Sequence, residues 1–252
     1  MSTKKYEANR FFLKDTIRKQ IDFSQTAQSL GKAAPPLQKP CPPAIPQVDL
    51  PDGAEALARL AVLSAGEAMI RRSSVRQYKA GSLSLGELSA LLWATQGVRE
   101  VVGCETALRV VPSAGARHSL ETYLVVNRVE TLSAGLYRYL PFDGRLAKLR
   151  TDPRIGLKAA AACFGQEFIA ASAVTFFWTV LPTRMEWRYD LAAHKVIAID
   201  AGHVCQNLYL ACEAIGAGCC AIAAYDQAAC DELLGVDGEE EFVLYLAPVG
   251  KR

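Results

Sequence analysis

The sequence lacks the segments that would direct it into or through a membrane. The first residues, Met1 to Glu7, are polar and charged, whereas a secretory signal peptide needs an apolar core. The longest uncharged apolar stretch, residues 168–183, is too short to span a bilayer and is closed by Pro182. We therefore expect a soluble, cytoplasmic protein that does not bind a membrane.

The chain also has almost no net charge. Its 28 lysines and arginines are balanced by 26 aspartates and glutamates, which leaves a formal net charge of +2. Nucleic-acid-binding proteins usually carry a basic face and a high isoelectric point, so no nucleic-acid partner is expected. With 51% apolar and 21% charged residues over 252 positions, the sequence instead predicts a globular protein with a full core.

Metal and disulfide signals are missing as well. The eight cysteines form no Cys-x-x-Cys pair, so we expect no metal site. Adjacent cysteines such as Cys219 and Cys220 rarely reach the geometry of a disulfide, and reduced cysteines acting as small apolar side chains are the favoured interpretation. His203, on an apolar helix, is interpreted as a hydrogen-bonded core residue.

The Gly-x-Gly-x-x-Gly turn and the regular strand-helix rhythm of a dinucleotide-binding fold are absent too. Predicted helices and strands alternate irregularly, with strands at 122–127, 174–181 and 242–247 and a long helix at about 195–215. This order predicts an α+β domain with a mixed, mostly antiparallel central sheet.

Residues 1–50 are predicted to form an extended N-terminal arm that precedes a folded domain at 51–252. The proline-rich run at 33–46 excludes both a helix and a central strand. Two interpretations of the arm remain open. It is either a disordered tail or a segment laid across the domain or a dimer partner, which would cover apolar side chains such as Phe11, Phe12 and Phe23.

What the sequence does contain is a dense basic cluster, Arg71 to Tyr78, with three arginines and two serines in eight residues. Ser64 and Glu67 have capping-box spacing and predict a short helix that leads into this cluster. Ser84 and Glu87 have the same spacing and predict the start of a second helix, at 88–96. Arginine forks bind phosphate oxygens bidentately and serine hydroxyls complete the shell, so the cluster suits a phosphate monoester. The same cations would also stabilise a helix C-terminus without any ligand, and the cluster alone does not decide between the two.

A loop of small residues, Pro112 to His118, precedes the predicted strand at 122–127. Small side chains let backbone amides approach a flat or anionic ligand closely. The alternative is a plain turn, and the polar residues Arg117 and His118 favour a site.

Five motifs lie along the chain: RSSVRQY at 72–78, LSLGELS at 83–89 with LLWATQG at 91–97, PSAGARH at 112–118, DAGHVCQNL at 200–208 and APVGK at 247–251. Together they resemble the nitroreductase superfamily of flavin enzymes, and within it the SagB-type dehydrogenases, which include thiazoline and oxazoline dehydrogenases of peptide natural-product pathways. The resemblance covers the chain from the arm to the C-terminus. It implies a nitroreductase-like fold, with a mixed, mostly antiparallel sheet flanked by helices, in a homodimer.

The resemblance also implies FMN, held at the dimer interface by residues of both subunits. Arg72, Ser74 and Arg76 would contact the phosphate and flavin, with Lys251 and Arg252 neutralising the same phosphate. The cofactor-binding residues that it implies are Arg72, Ser73, Ser74, Arg76, Pro112, Ser113, Ala114, Arg117, Gln166, Ala223, Ala224, Lys251 and Arg252. The loop at 112–114 would come from the other subunit.

Two departures from the family pattern affect the expected chemistry. Ala223 and Ala224 stand where the family usually has a glycine-containing loop, so their amide contact with the flavin requires a backbone that avoids positive φ. Arg188 and Tyr189, the implied catalytic residues, replace the Lys-Tyr pair of azole-forming relatives. Arginine stays protonated and is a poor general base, which leaves Tyr189 to donate or accept a proton.

Three functions follow from this resemblance. The first is an FMN-dependent oxidoreductase that moves a hydride between a substrate carbon and the flavin, with azoline oxidation in a small-molecule or peptide substrate and a partner enzyme from the same biosynthetic cluster. The second is a reductase of nitro, quinone or enone compounds that takes electrons from NAD(P)H. The third is a flavin-binding subunit of a complex, without turnover.

Overall fold

The helices and strands alternate irregularly along the chain, as the sequence predicts. The computed structural model describes residues 3–103 and 105–252, so Met1 and Ser2 of the predicted arm and Cys104 lie outside the described residues. The strands are β1 Gln47–Asp49, β2 Val98–Val102, β3 Thr106–Arg109, β4 Leu120–Val126, β5 Gly135–Leu140, β6 Arg145–Thr151, β7 Val174–Val180, β8 Ala217–Cys219 and β9 Phe242–Lys251. The helices are α1 Glu7–Leu13, α2 Gly53–Leu60, α3 Ala65–Arg71, α4 Leu85–Gln96, α5 Ile155–Ala162, α6 Phe168–Ala171, α7 Thr183–Tyr189, α8 Ala193–Ala214 and α9 Gln227–Leu234.

Seven of the strands form the central sheet, in the order β1-β6-β5-β4-β7-β9-β8, and β2 pairs with β3 in a separate ribbon. The neighbouring strands of the central sheet are antiparallel throughout the described part of the chain. The predicted α+β architecture with a mostly antiparallel sheet is therefore confirmed.

The two faces of the sheet bury alternate residues, as the twofold period of a strand requires. Leu124 pairs with Phe176, and both pack against α4 and α8 on one face. Tyr123 pairs with Phe177, and both face the opposite core, which α5, α6 and α9 cover. The sheet thus lies between two helical layers.

Strand β9 continues beyond its predicted end. The sequence predicts a stop before Pro248, because proline lacks the N–H that a central strand uses. In the structure the strand runs on to Lys251, and the Pro248 carbonyl accepts hydrogen bonds from Tyr78 and from the amide of Cys220. This extension carries the C-terminal cations into the end of the sheet.

Helix α8 crosses one face of the sheet and shows why the prediction for His203 is wrong. The buried line of the helix runs through Ile197, Val204 and Leu208. His203 falls on the opposite side of the helix and is exposed, as is Ile199. An apolar helix with small residues on both sides gives no reliable indication of which side faces the core.

Part of the predicted arm lies across the domain. The Trp187 indole donates to the carbonyl of Lys32 over 2.9 Å, and the Gln28 amide donates to the carbonyl of Trp187, also over 2.9 Å. The Lys39 amide donates to Glu121 over 2.8 Å. Strand β1 pairs with β6, so the sheet begins within residues 1–50.

Two further observations concern helices and thiols. Within residues 3–103 and 105–252, none of the helices has both the length and the apolar composition that crossing a membrane requires. The cysteines in the same part of the chain are free thiols, and all of them except Cys41 are buried, as expected of small apolar side chains.

Candidate functional site

The residues predicted to bind a phosphate come together at one end of the sheet. We call this group of four cations and two hydroxyls the cation cluster; its members are Arg72, Ser73, Ser74, Arg76, Lys251 and Arg252. The capping box of Ser64 and Glu67 starts α3, which ends at Arg71. The chain then runs along β8 and β9, where the Val75 amide donates to Cys219 over 2.8 Å and the Lys79 amide donates to Lys251 over 2.9 Å.

Two glycines let the segment after α3 lie directly on the sheet. A Cβ at Gly218 would lie 2.8 Å from the side chain of Val75, and a Cβ at Gly250 would lie 2.6 Å from the ring of Tyr78. Contacts that short are closer than real Cβ atoms tolerate, so glycine is required at both positions. The close packing fixes where the arginines on either side of Val75 project.

Buried glutamates hold the two C-terminal cations of the cluster. Glu87 completes the predicted capping box of α4, since its Oε2 accepts from the Ser84 amide over 2.8 Å, and its other oxygen binds Lys251 Nζ. Glu213 on α8 accepts from Arg252 Nη1 over 2.9 Å. Sequence reasoning identified Glu87 only as a cap and missed Glu213, although a single acid within the apolar run 208–220 indicates a buried partner.

Tyr209 joins the cation cluster to the chain after β8, and the sequence did not single it out. Its hydroxyl lies 3.0 Å from Ser74 Oγ and accepts from the Ala221 amide over 2.8 Å. Its ring centroid lies 5.2 Å from Cζ of Arg72, a cation-π distance. Burial raises the pKa of the Tyr209 hydroxyl, so it stays protonated. Tyr209 and Glu213 lie one helical turn apart on α8, which is the signal that could have identified it.

The loop with the two alanines borders the same end of the sheet. Gln166 Nε2 donates to the Ala224 carbonyl over 2.9 Å, and Ala223 and Ala224 are both exposed. Neither alanine is among the described non-glycine residues with positive φ, so the backbone meets the condition for presenting its amides. Arg76 lies 6.0 Å from the ring of Phe168 beside this loop.

The loop from Pro112 to His118 is held by α8. Ser113 Oγ donates to Asp200 Oδ2, the Ala114 amide lies 3.3 Å from the same carboxylate, and the His118 amide donates to Ser113 Oγ over 3.0 Å. Burial raises the pKa of Asp200. Burial and the nearby Arg109 lower the pKa of His118 to about 3, so its ring is neutral at physiological pH.

The same loop packs against the predicted catalytic pair, Arg188 and Tyr189. A Cβ at Gly115 would lie 2.6 Å from the Tyr189 hydroxyl and 2.8 Å from Cδ of Arg188. Gly115 itself has φ of +56°, and Ala116 and His118 have φ of +54° and +47°. Left-handed non-glycine residues cost about 1–3 kcal/mol each and concentrate at functional sites, so this loop is a strained part of the site.

Arg117, which the resemblance assigns to the cofactor site, makes its contacts inside this chain. Its side chain is only 2% exposed, and its guanidinium lies 4.6 Å from the ring of Trp187 and donates to the Glu105 carbonyl over 2.8 Å. It also lies 3.4 Å from the Arg184 carbonyl. These contacts hold α7 against the loop and leave no exposed donor for a ligand.

The predicted site residues therefore form two groups within the chain. Asp200 binds the loop that contacts Arg188 and Tyr189, whereas Tyr209 and Glu213 bind the cation cluster. At a rise of about 1.5 Å per residue, these positions are about 14 Å and about 20 Å from Asp200 along α8. Helix α8 therefore sets the distance between the two groups.

The sequence matches the model of the Nitroreductase family over residues 69–251. It is 32% identical over 186 residues to "Putative nitroreductase MJ1384" of Methanocaldococcus jannaschii, a match that covers 74% of this chain and 90% of that protein. It is 29% identical over 112 residues to "Trifolitoxin-processing protein TfxB" of Rhizobium leguminosarum bv. trifolii, which covers 43% of this chain and 30% of that protein. These matches confirm the resemblance that the motifs carry.

Solved structures show the same fold. A putative nitroreductase from Ralstonia eutropha has a TM-score of 0.67 at 23% identity, over 87% of this chain and 95% of that chain. One from Anabaena variabilis has a TM-score of 0.68 at 25% identity, over 83% of this chain and 42% of that chain. The Escherichia coli microcin synthetase McbBCD complex with truncated pro-MccB17 contains a chain with a TM-score of 0.60 at 18% identity, over 75% of this chain and 73% of that chain. The nitroreductase-like fold is thus confirmed.

Proposed function

The chain belongs to the nitroreductase family of flavin-dependent oxidoreductases, and we propose that it is an FMN-dependent member that works as a homodimer. The observation that carries this proposal is the cation cluster. Its cations and hydroxyls come from two distant parts of the chain and converge at one end of the sheet. A phosphate monoester is the ligand that this set of donors suits.

The donors of the cluster fit the phosphate of FMN. Arg72 and Arg76 form no salt bridge with any residue that the structure describes. Ser73 and Ser74 are exposed, and Arg252 Nε is buried with no hydrogen-bond partner in the described part of the chain. Each charge-assisted hydrogen bond contributes about 1.5–3 kcal/mol, so several donors meeting one phosphate bind it tightly. Lys251 would contribute its charge while Glu87 holds its ammonium group.

The flavin ring would lie along the loop that begins at Ala221 and contains Ala223 and Ala224, which we call the alanine loop. Bound FMN supplies the group that accepts or donates a hydride. The chain contributes the exposed backbone at Ala223 and Ala224, which Gln166 holds through the Ala224 carbonyl. Tyr189, kept in place by the tight approach of Gly115, is the group we propose to donate or accept a proton. Arg188 would supply a fixed positive charge beside it.

The homodimer would bring the second group of residues to the cofactor. Exposed apolar side chains on the described surface include Leu191 just before α8, Ile199 on α8, and Val101 and Val102 on β2, which a second copy would cover. We propose that Pro112, Ser113 and Ala114 of one subunit approach the flavin held by the cation cluster of the other. In size-exclusion chromatography with light scattering, the expected mass is twice the 27.3 kDa of one chain.

Two reactions are candidates, and a different similarity favours each. Reduction of a nitro or related compound by NAD(P)H is supported by the match to a protein named as a nitroreductase over 90% of its length. Oxidation of an azoline ring in a peptide, with a partner enzyme, is supported by the match to a trifolitoxin-processing protein. The presence of Arg188 where azole-forming relatives have lysine favours the first. A flavin-binding subunit without turnover is the remaining alternative.

An absorbance spectrum of the purified protein, followed by anaerobic addition of NADH and NADPH, tests the proposal. We expect flavin absorbance that bleaches on addition of one nicotinamide, which would support the reductase. Flavin that bleaches only with an azoline-containing peptide would support the dehydrogenase. Reduced flavin that no acceptor reoxidises would support the subunit without turnover. Protein that is colourless and does not take up FMN would show that the cation cluster only caps α3.

A further inference from the structure

Tyr209 lies at the junction of the two parts of the chain that would surround FMN. Its hydroxyl is 3.0 Å from Ser74 Oγ in the cation cluster and 2.8 Å from the Ala221 amide, which begins the alanine loop. None of the residues implied by the family resemblance is Tyr209. Its side chain therefore joins the two regions without having been assigned to either.

The direction of these hydrogen bonds follows from the chemistry of the groups. The Ala221 amide can only donate, so the Tyr209 oxygen accepts from it. The phenol has one proton, and among the described side chains Ser74 is its hydrogen-bond neighbour. When that proton is donated to Ser74 Oγ, the serine proton is left to point towards solvent, where Ser74 is exposed.

An anion at Ser74 would stabilise this direction along the whole chain. The order would be Ala221 N–H to Tyr209 O–H to Ser74 O–H to the anion, and hydrogen bonds in such a chain polarise one another. The ring of Tyr209 contributes separately, because Arg72 lies 5.2 Å from its centroid. Hydroxyl and ring thus act on two different donors of the cation cluster.

We propose that Tyr209 is a positioning residue that orients the Ser74 hydroxyl as a donor to the phosphate of FMN. This inference rests on the proposed FMN site. Tyr209 acts through Ser74 and does not itself touch the reacting atoms. Its hydroxyl therefore distinguishes FMN from riboflavin, which has the same ring system without the phosphate.

The experiment compares the affinity of the apo-protein for FMN and for riboflavin, measured by quenching of flavin fluorescence. Tyr209→Phe removes the hydroxyl and keeps the ring that faces Arg72. We expect the Kd for FMN to rise about 3- to 10-fold, the range for loss of one net hydrogen bond, and the Kd for riboflavin to stay unchanged. Ser74→Ala should give a similar change, and the double variant should lose little more, because the two groups act as a unit.

Tyr137→Phe is the matched control. Its hydroxyl bonds to Ser133 within 3.1 Å, and it lies on β5, away from the cluster, so neither flavin should bind differently. Equal FMN affinity in wild type and Tyr209→Phe would overturn the inference alone. Equal weakening of FMN and riboflavin would also overturn it, since Tyr209 would then shape the ring site. A wild-type protein that binds no FMN would overturn the proposed function as well.

Discussion

The cation cluster and the Pro112–His118 loop use similar side chains in opposite ways. In the cluster, Ser73, Ser74 and Arg76 are exposed, and the buried groups are the glutamates that hold Lys251 and Arg252. In the loop, Ser113 and Arg117 are turned inwards, to Asp200 and Trp187. An arginine or serine near a ligand is therefore either a donor to that ligand or a support for the backbone, and its burial decides which.

The loop depends on a fully buried ion pair beneath it. Arg184 Nη2 lies 2.6 Å from Glu121 Oε1, and the two side chains are 2% and 3% exposed. Arg184 Nη1 donates to the His118 carbonyl over 3.2 Å, at the end of the loop. The cluster has no pair of this kind among its described residues, since the side chain of Arg252, which pairs with Glu213, is 31% exposed. Loss of a partner should thus cost more stability at the loop.

The largest effect is expected for Glu121→Ala. The substitution leaves the buried Arg184 guanidinium without its carboxylate, and breaking a buried pair in this way costs about 3–5 kcal/mol. It also removes the acceptor of the Lys39 amide, so part of the arm should detach. The free energy of unfolding in urea measures the loss.

Glu213→Ala is the matched comparison in the cation cluster. Water can solvate the partly exposed Arg252 when its carboxylate is removed, so the loss of stability should be clearly smaller. An equal loss in the two variants would show that the cluster and the loop are supported in the same way.

The second prediction compares how two arginines affect FMN binding and the free energy of unfolding. Arg72→Ala should raise the Kd for FMN about 10- to 150-fold, equivalent to loss of a charge-assisted bond, with little change in unfolding. Arg117→Ala should lower the free energy of unfolding and change the Kd for FMN little, because its guanidinium packs on Trp187 inside the protein. Flavin fluorescence titration and urea unfolding on the same samples measure both quantities.

Arg71→Ala is the control for the loss of one positive charge. Arg71 is the last residue of α3 and is exposed, so FMN affinity should change little. If Arg71→Ala weakens FMN as much as Arg72→Ala does, the cluster attracts anions only through its overall charge.

The difference between the two regions also explains how far the sequence could be interpreted. Capping-box spacing correctly predicted the starts of α3 and α4, because that signal lies within four residues. The partner of Lys251 is Glu87, 164 positions away, and no local pattern predicts such a contact. For Arg117, a polar residue after a run of small ones indicated a binding site. The burial of its side chain depends on Trp187, which only the fold brings near.

The smallest predicted effect concerns the contact that holds the loop to α8. Asp200→Asn keeps the size of the side chain but puts an NH2 donor in place of one of the two oxygens near Ser113 Oγ and the Ala114 amide, so we expect a loss of about 1 kcal/mol in unfolding free energy at acidic pH. Asp49→Asn, at an exposed pair with Arg145, should change stability by less.

The pH dependence of the unfolding free energy distinguishes an effect of the Asp200 charge from an effect of side-chain shape. Burial raises the pKa of Asp200 above the value it has in the unfolded chain, so the folded state binds the proton more tightly. The stability that this group contributes is therefore present below the unfolded pKa of about 3.9 and is lost as the pH rises through the raised folded pKa. Asparagine does not titrate, so the advantage of wild type over Asp200→Asn should shrink from acidic to neutral pH. An advantage that grows with pH would mean that the hydrogen bonds from the loop outweigh burial at Asp200, and that the loop presents a net positive end to this carboxylate.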